Sequence, residues 1–356
     1  MSEDYFLMPR DINVVVNSNS SKKKFFISHH LNKLVADSLD ILITEDKNLN
    51  RVKVIQNINL QDYQIRKKNF NKFKNLQSRI SNIFNSNLRS DILPNKSPLI
   101  MGIVNITSDS FYDGGKYNST SSALKHAYKL LQDGADIIDL GAESTKPGSK
   151  PVNSEIEKKK LLPVIRDLIK NGVFISCDTR NASTMEAVID EGVQLINDVS
   201  GLNYDKGTLN VLKNSKCSYV LMHTQGIPSN MQLNPKYKNA PFDIYRFFKD
   251  KIMTLQNSGV NLSRIIIDPG IGFGKKDAHN FNILKYLPIF LDLGVPILIG
   301  LSRKSFIGRY LGNINADRLS YTLMLGLDSY LKGVRILRVH DVKETLKYLE
   351  LYNKIN

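Results

Sequence analysis

The strongest chemical signal in this chain lies in residues 100–115, where an apolar run gives way to a polar loop. The run from Leu99 to Val104 stops at Asn105, and hydroxyl groups, two carboxylates and a pair of glycines follow. A buried strand that ends in such a loop is how an α/β enzyme presents reactive side chains at the carboxyl edge of its sheet. We therefore expect residues 105–115 to border an active site.

Seven more apolar segments end in polar or reactive side chains, so the same arrangement recurs along the chain. The side chains at or just after their ends include Asp139, Asp178, Asn197, Met222, His223, Asp268, Lys304, Arg338 and His340. In a barrel of parallel strands, all of these ends converge on one mouth. The sequence thus predicts one composite site assembled from distant parts of the chain.

Four of these side chains suit a flat heterocyclic ligand. A carboxylate accepts two parallel hydrogen bonds from a guanidine-like edge, which matches Asp178 and Asp268 to a ring that carries several nitrogens. Asn197 and Lys304 supply hydrogen bonds for the remaining donors and acceptors of such a ring, including a carbonyl.

A second group predicts phosphate binding. Arg338 and His340, together with Asn105, are suited to clamp phosphate oxygens, and Asn105 could also help hold a divalent metal ion. The glycine-containing loops after the first two apolar segments are suited to close over the site and exclude water.

Each feature also has a purely structural interpretation. Asp178 and Asn197 could cap helices, as Asx side chains often do at a strand-to-helix turn. The glycines of residues 270–274 lack the spacing of a dinucleotide-binding fingerprint. Lys304 and its neighbour could be solvated charges, and His223 fits a structural role better than catalysis. A structural role explains any one of these features, but not all eight strand ends together.

From residue 99 onward, apolar segments alternate with segments of helical length. The predicted strands span 99–104, 135–140, 173–178, 193–197, 218–222, 264–268, 295–300 and 335–339, and the predicted helices include 121–132, 154–170, 182–191, 242–257 and 279–293. Eight such units in about 260 residues fit a (β/α)8 TIM barrel, the α/β fold that we predict for residues 97–356. A doubly wound sheet is the alternative, but its functional residues would cluster at one switch point.

Residues 1–96 are less regular, and we predict a small accessory domain and linker that packs on the barrel. Short strands are predicted at 39–43 and 51–55, a short helix at 29–36, an amphipathic helix within 62–87 and a linker at 86–98. A surface for docking or oligomerisation is the alternative interpretation of this region.

Composition limits the partners and the location. The net charge of +15 raises the question of nucleic acid, but aromatic residues do not interleave with the basic ones, so we expect no nucleic-acid partner. No apolar run approaches the roughly 20 residues of a membrane span, and the N-terminus lacks a hydrophobic signal segment. Cys177 and Cys217 fall at predicted strands, which is typical of reduced core thiols. We therefore predict a cytoplasmic protein without a membrane partner.

Residues 99–352 resemble the dihydropteroate synthase family throughout. The motifs that carry the resemblance are, in chain order, MGIVNITSDSFYDGG, GADIIDLGAESTKPG, ISCDTR, INDVSG, YVLMH, IIIDPGIGFGK, LIGLSRKSFIG and ILRVHDV. They occur in the order and spacing of that family, and residues 1–96 lie outside the resemblance.

The resemblance implies a TIM-barrel transferase of folate biosynthesis that is a target of sulfonamides. Its substrates would be 6-hydroxymethyl-7,8-dihydropterin diphosphate and 4-aminobenzoate, its products 7,8-dihydropteroate and diphosphate, its cofactor Mg2+, and its assembly a homodimer. The implied catalytic residues are Asp178, Lys304, Arg338 and His340. The implied pterin site comprises Asp178, Asn197, Met222, Asp268 and Lys304. The implied diphosphate site comprises Asn105, Arg338 and His340, with Asn105 at the metal, and the implied aminobenzoate site and loops comprise Asp109, Phe111, Thr145, Lys146, Pro147, Phe273 and Ser305.

The chemistry of this reaction agrees with the residues. Loss of diphosphate leaves an electron-poor methylene carbon that is conjugated with the pterin ring. We expect Asp178 to stabilise cationic charge in the ring, and Arg338, His340 and Mg2+ to stabilise charge on the leaving group. The arrangement predicts an SN1-like displacement in which the neutral arylamine attacks as diphosphate leaves.

Three loop positions depart from the usual pattern of the family. Lys146 replaces an arginine, Ala142 a glycine and Ser108 a proline. A lysine offers a point charge where an arginine would make a bidentate contact. All three lie in the loops that the resemblance assigns to aminobenzoate, so they bear on the binding of aminobenzoate and sulfonamides.

Two other functions are compatible with parts of the sequence. A methyltetrahydrofolate-dependent methyltransferase shares a pterin-binding barrel, but its chemistry needs no diphosphate clamp. A non-catalytic scaffold or nucleic-acid-binding protein would use the basic region 1–96, whose net charge is +7.

Overall fold

A computed structural model describes residues 5–10, 13–15, 33–35, 38–45, 51–60, 75–85, 90, 92–106, 119–143, 151–227 and 229–355. The strands within these ranges are β1 Tyr5–Arg10, β2 Asn13–Val15, β3 Lys33–Val35, β4 Ser38–Glu45, β5 Arg51–Asn59, β6 Leu99–Asn105, β7 Ile137–Gly141, β8 Ile175–Asp178, β9 Leu195–Asp198, β10 Ser218–Met222, β11 Ile265–Asp268, β12 Leu298–Gly300 and β13 Ile336–Val339.

Helices follow the strands of the larger sheet. The α-helices within the described ranges are α1 Leu76–Asn85, α2 Ser119–Gln132, α3 Ser154–Lys170, α4 Ala182–Asp190, α5 Thr208–Asn214, α6 Ala240–Asn257, α7 Asp277–Lys285, α8 Ser305–Tyr310, α9 Leu319–Leu331 and α10 Val342–Ile355. Two 3₁₀ helices span Leu262–Arg264 and Leu287–Leu293. None of the helices in this part of the chain combines the length and apolar character that a membrane span requires.

Strands β6 to β13 form one parallel sheet that closes on itself. The hydrogen-bonded order is β11-β10-β9-β8-β7-β6-β13-β12, and a parallel bridge between Ile267 and Ile297 joins the two ends. The Ile267 N–H donates to the carbonyl of Pro296 at 3.0 Å across this seam. Closure confirms the predicted (β/α)8 barrel and excludes the doubly wound alternative, whose sheet has free edges.

The barrel interior has an apolar layer below a polar layer. The apolar layer at the start of the strands comprises Leu99, Met101, Ile137, Leu195, Val220, Ile266, Leu298 and Ile336, all at most 1% exposed. Side chains of a strand alternate between its two faces, so the inward position recurs two residues later. In four strands that next position is Asp139, Asn197, Asp268 or Arg338. The strand period alone therefore places polar groups inside the mouth of the barrel.

The N-terminal region packs on the outside of the barrel. Strands β1, β4 and β5 form an antiparallel sheet, and Phe6 of β1 contacts Phe242 and Tyr245 of α6, with ring centroids 4.4 and 5.1 Å apart. Helix α1 packs on the 3₁₀ helix Leu287–Leu293. These contacts extend the outer core of the barrel into the sheet, and the predicted domain boundary at residue 97 stays a prediction.

Most predicted elements of the barrel are confirmed, with small shifts in their ends. The predicted helix at 279–293 is wrong in its second half, which is the 3₁₀ helix Leu287–Leu293. Pro288 lacks an N–H and disfavours α-helical backbone at the residue before it, so α7 ends at Lys285.

Outside the barrel, two predictions need correction. The predicted helix at 29–36 includes strand β3, which pairs with β2, and its other residues lie outside the described ranges. The amphipathic helix is described from Leu76 to Asn85, with Leu76, Ile80 and Ile83 on its buried face. The linker predicted at 86–98 is partly structural, because Leu93 is buried in the apolar layer of the barrel.

A buried ion pair joins α1 to the barrel. Arg79 Nε donates to both carboxylate oxygens of Asp292 at 3.0 Å, and Tyr245 Oη donates to Asp292 Oδ2 at 2.9 Å. The Asp292 side chain is fully buried. Burial opposes the charge of Arg79, but the Asp292 carboxylate raises the pKa of the guanidinium above its ordinary value.

Replacing Arg79 with Met should lower the free energy of unfolding by about 3 kcal/mol, because it leaves the buried Asp292 carboxylate without its cation. Urea denaturation followed by circular dichroism measures this change. Lys129→Met is the matched control, because Lys129 pairs with Asp133 on the exposed face of α2 and should cost less than about 1 kcal/mol. Equal losses in the two variants would contradict a structural role for the Arg79 pair.

Candidate active site

A cavity of about 610 Å³ opens at the carboxyl end of the barrel strands. Six of the residues predicted from the sequence line it, namely Asn105, Phe273, Lys304, Ser305, Arg338 and His340. The structure thus brings together side chains from four strand ends that are up to 235 positions apart along the chain, counted from Asn105 to His340.

Below this cavity lies a buried set of acceptors. Asp178, Asn197 and Asp268 are 8%, 2% and 6% exposed. The register of the sheet explains their proximity, since Asp178 is the direct partner of Asn197, and Asp268 the partner of Met222. Predicted pterin-site residues therefore lie close together at the bottom of the mouth.

Asp139 organises this set, although the sequence analysis named it only as a strand-end residue and gave it no binding role. Its side chain is fully buried. It accepts hydrogen bonds from Ser176 Oγ at 2.5 Å, Arg338 Nε at 2.6 Å and Asn197 Nδ2 at 3.3 Å. A carboxylate in the middle of an apolar strand was the signal that could have identified it, because such a charge needs partners inside the barrel.

The bond to Asp139 sets the orientation of the Asn197 amide. Because Nδ2 faces the carboxylate, Oδ1 points the other way, and this buried oxygen has no hydrogen-bond partner among the described residues. Asn197 therefore presents an acceptor to a ligand, beside the acceptors of Asp178.

Arg338 bridges two carboxylates. Its Nη2 donates to Asp178 Oδ2 at 2.9 Å, while its Nε is bound to Asp139. Burial opposes the charge on Arg338, but Asp139 and Asp178 raise its pKa above the ordinary value. Conversely, burial raises the pKa of Asp178 to about 8 even though Arg338 opposes the shift. Burial therefore makes ionised Asp178 costly near neutral pH, and a ligand that donates hydrogen bonds to it favours its ionisation.

Lys304 is held by the loop after β11. Its Nζ donates to the Ile271 carbonyl at 2.8 Å and lies 4.2 Å from the centroid of the Phe273 ring. Burial lowers the pKa of Lys304 to about 8, although Asp268 opposes the shift. The alternative of a solvated lysine is therefore wrong, because the ammonium is bonded to a backbone carbonyl and lies against an aromatic ring.

The loop after β11 packs tightly against the loop after β10. At Gly270, with φ +66°, a Cβ would lie 2.1 Å from the His223 carbonyl oxygen, so only glycine fits. The Gly270 N–H donates to Asp268 Oδ1 at 2.7 Å, which orients that carboxylate.

Lys275 joins the same two loops from inside. This lysine is 1% exposed, and its Nζ donates to the carbonyls of Phe273 at 2.9 Å and His223 at 3.1 Å. It also lies 3.0 Å from His223 Nδ1. Burial lowers the pKa of both side chains well below their ordinary values, so the His223 ring is neutral, and its structural role stays a prediction. The sequence-based assignment missed Lys275.

His340 directly follows β13, which is the neighbour of β12 in the barrel. Its backbone N–H donates to Ser302 Oγ at 3.2 Å, and its Nδ1 lies 2.9 Å from the same hydroxyl. Burial and the nearby Arg338 lower the pKa of His340 to about 4, so its ring is neutral at pH 7. Ser302 thus orients the imidazole toward the cavity.

Several predicted loop residues cannot be placed against this geometry. Asp109, Phe111, Thr145, Lys146 and Pro147 lie outside the described residues, as does Ser108.

The described part of the loop after β7 ends at Glu143, which forms a buried ion pair. Arg180 donates to both oxygens of Glu143 at 3.0 and 2.6 Å, and the two side chains are 5% and 8% exposed. This pair, which the sequence-based assignment missed, ties the end of β7 to the end of β8.

Asn105 is an exposed residue on the wall of the cavity, and its side chain carries an oxygen of the kind that Mg2+ prefers. The described residues contain no group of three or more His, Cys, Asp or Glu side chains arranged for a metal. A site with few protein ligands fits Mg2+, which usually keeps several waters and binds through substrate phosphates.

Comparison with known proteins supports the geometry. The family model described as pterin binding enzyme matches residues 101–340. Dihydropteroate synthase from Neisseria meningitidis serogroup B is 42% identical over 265 residues, which are 72% of this chain and 93% of the relative.

Solved structures show the same likeness. Dihydropteroate synthase from Xanthomonas albilineans with 4-aminobenzoic acid aligns with a TM-score of 0.68 and 36% identity, over 73% of this chain and 93% of that one. A structure from the same organism in complex with 7,8-dihydropteroate has a TM-score of 0.66 and 34% identity, over 74% and 95%.

Proposed function

This chain belongs to the dihydropteroate synthase family of pterin binding enzymes, and we propose that its barrel mouth performs that family's reaction as follows. It condenses 6-hydroxymethyl-7,8-dihydropterin diphosphate with 4-aminobenzoate to 7,8-dihydropteroate and diphosphate, a step of folate biosynthesis. The observation that carries this conclusion is the buried acceptor set of Asp178, Asn197 and Asp268, with Arg338 bonded to Asp178 and lining the same cavity as Lys304.

The deep pocket binds the pterin ring. Asp178 and Asp268 accept hydrogen bonds from its amino and ring N–H groups, and Asn197 Oδ1 accepts one more, because its amide is oriented by Asp139. Lys304 donates to an acceptor of the ring. Acceptors outnumber donors in this pocket, which matches the donor-rich edge of a dihydropterin.

The reaction proceeds by loss of diphosphate before attack. The bond between the pterin methylene carbon and the diphosphate oxygen breaks, and its electron pair leaves with diphosphate. The ionised Asp178 stabilises the cation that spreads into the ring, while Arg338 and His340 bind the leaving oxygens. The neutral amine of 4-aminobenzoate then bonds to the carbon and loses a proton to solvent. No covalent bond to the protein is needed.

Asn105 would hold Mg2+ through its Oδ1, together with water and diphosphate oxygens. Bound there, the ion supplies Lewis-acid stabilisation of the leaving group. The exposed Asn105 side chain at the cavity wall supports this proposal.

Two expectations about the whole protein remain proposals. A homodimer rests on the family resemblance, and exposed apolar residues of the last barrel units support it, among them Tyr310 and Met324, which are 70% and 48% exposed. A cytoplasmic location rests on the composition of the sequence.

Asp178→Asn tests the proposed function and its mechanism together. We expect the wild-type chain to form dihydropteroate and release diphosphate only when 4-aminobenzoate is present, whereas methyl transfer would release none. The variant should lose on the order of 100-fold or more in kcat but little in the Kd for the pterin substrate, because the amide lacks the charge that stabilises the cation. Rapid-quench turnover and calorimetry measure the two quantities. Equal losses in both would exclude this role.

The pH dependence should be bell-shaped. Asp178 is protonated below about 8 and cannot accept two hydrogen bonds, whereas Lys304 loses its charge above about 8. We therefore expect kcat/KM for the pterin substrate to rise toward pH 8 and to fall above it. The two apparent pKa values of this profile describe Asp178 and Lys304 together, because the two groups interact. Lys304→Met should remove the alkaline limb. Asp178→Asn is the control, because any decrease of kcat/KM at acid pH that persists in this variant comes from titration of the substrates.

Asn105→Ala should raise the Mg2+ concentration for half-maximal activity by at least about tenfold, because it removes the protein ligand of the ion. A Mg2+ titration at saturating substrates measures this value. Asn257→Ala, at the exposed end of α6, is the matched control. An unchanged Mg2+ requirement in Asn105→Ala would place the ion elsewhere.

A further inference from the structure

Arg303 adopts a backbone conformation that is unusual for its residue type. Its φ is +55°, in the left-handed region where Gly and Asn are favoured. The N–H of Lys304 donates to the Leu301 carbonyl at 3.2 Å and closes a four-residue turn. Arg303 occupies the third position of this turn, where a positive φ normally requires Gly or Asn.

Contacts with Asp341, Thr322 and Arg318 hold Arg303 in this conformation. Its Nε and Nη2 donate to the two carboxylate oxygens of Asp341 at 2.9 and 2.6 Å. Its backbone N–H donates to Thr322 Oγ1 of α9 at 3.2 Å, and its carbonyl accepts from Arg318 Nη1 at 2.8 Å. A strained residue persists only where its surroundings determine it in this way.

The same contacts join the ends of the last two barrel strands next to two site residues. Arg303 directly precedes Lys304, and Asp341 directly follows His340. Ser302, on the other side of Arg303, is bonded to His340 through its hydroxyl. Two sets of contacts therefore join the segments 302–304 and 340–341, namely the Ser302–His340 hydrogen bond and the Arg303–Asp341 ion pair.

We propose that Arg303 and Asp341 are positioning residues, which set the turn that directs Lys304 over the pterin pocket and His340 toward the diphosphate. The proposal rests on the proposed function of the site. Arg303 borders the cavity, but the fork of its guanidinium is occupied by Asp341, so it acts through its neighbours and not on substrate.

Stability and activity should respond differently to loss of this pair. The Arg303 and Asp341 side chains are 53% and 14% exposed, and ion pairs of this kind contribute little to stability. Glycine at position 303 would even relieve the strain of the positive φ. A purely structural pair would therefore leave activity nearly unchanged when it is removed.

The test compares Arg303→Gly, Arg303→Lys and Asp341→Asn in the full-length chain. We expect kcat/KM to fall on the order of 100-fold in Arg303→Gly and Asp341→Asn, as it does for small misplacements of reacting groups. Their Tm should stay within about 2 °C of wild type. The alkaline limb of kcat/KM should move upward as Lys304 becomes solvated, and Arg303→Lys, which keeps a point charge, should fall between.

Arg166→Ala is the matched control, because Arg166 makes a similar pair with Glu191 at 2.9 and 2.6 Å on the outside of the barrel. It should change neither kcat/KM nor the pH profile. Wild-type activity in Arg303→Gly and Asp341→Asn would overturn the proposal. Loss in the Arg303 variants alone would also overturn it, because Arg303 would then act on substrate directly.

A crystal structure of Arg303→Gly separates this proposal from the proposed function. Positioning predicts that Lys304 Nζ leaves the Ile271 carbonyl, to which it is bonded at 2.8 Å. Retention of this bond and of the Ser302–His340 contact would overturn positioning even if the reaction were a different one. Absence of dihydropteroate formation by the wild-type chain would instead reject the proposed function.

Discussion

The mouth of this barrel depends on a single constraint, which is that Arg338 must keep its charge between two buried carboxylates. A buried cation is tolerated only when it is paired and hydrogen-bonded, and the same holds for Asp139 and Asp178. Arg338 satisfies one oxygen of each, and Ser176 and Asn197 complete the partners of Asp139. What remains unsatisfied is what a ligand can use, above all the Asn197 carbonyl oxygen. The hydrogen bonds that the pocket offers to a ligand are therefore those that its side chains do not already make with one another.

Around this centre, contacts with a neighbouring loop hold the Lys304 ammonium in place. Lys304 has a long flexible side chain, yet a carbonyl and an aromatic ring on the loop after β11 fix its ammonium. That loop is in turn held by Lys275 from below and by the close approach of Gly270 to His223. Preorganised positive charge of this kind stabilises negative charge that develops nearby, without reorganisation at the moment of reaction.

The N-terminal sheet and α1 attach at the outer layer of the barrel, away from the strand ends that carry the site. Phe6 packs against α6 and Arg79 pairs with Asp292. The region therefore contributes to the outer core, and the reaction proposed for the mouth uses none of its described side chains.

The sequence by itself determined the eight strands and the polar residue at the end of each, because strand period and apolar runs are local properties. It also determined the family, since motifs such as ISCDTR and IIIDPGIGFGK are contiguous. Only the tertiary structure decided which charges meet. It paired Arg303 with Asp341, bonded Lys304 to the loop after β11, and showed the supporting roles of Asp139, Lys275 and the Arg180–Glu143 pair. The physical reason is that a side chain's partners lie on other strands, so its burial and charge state follow from closure of the barrel.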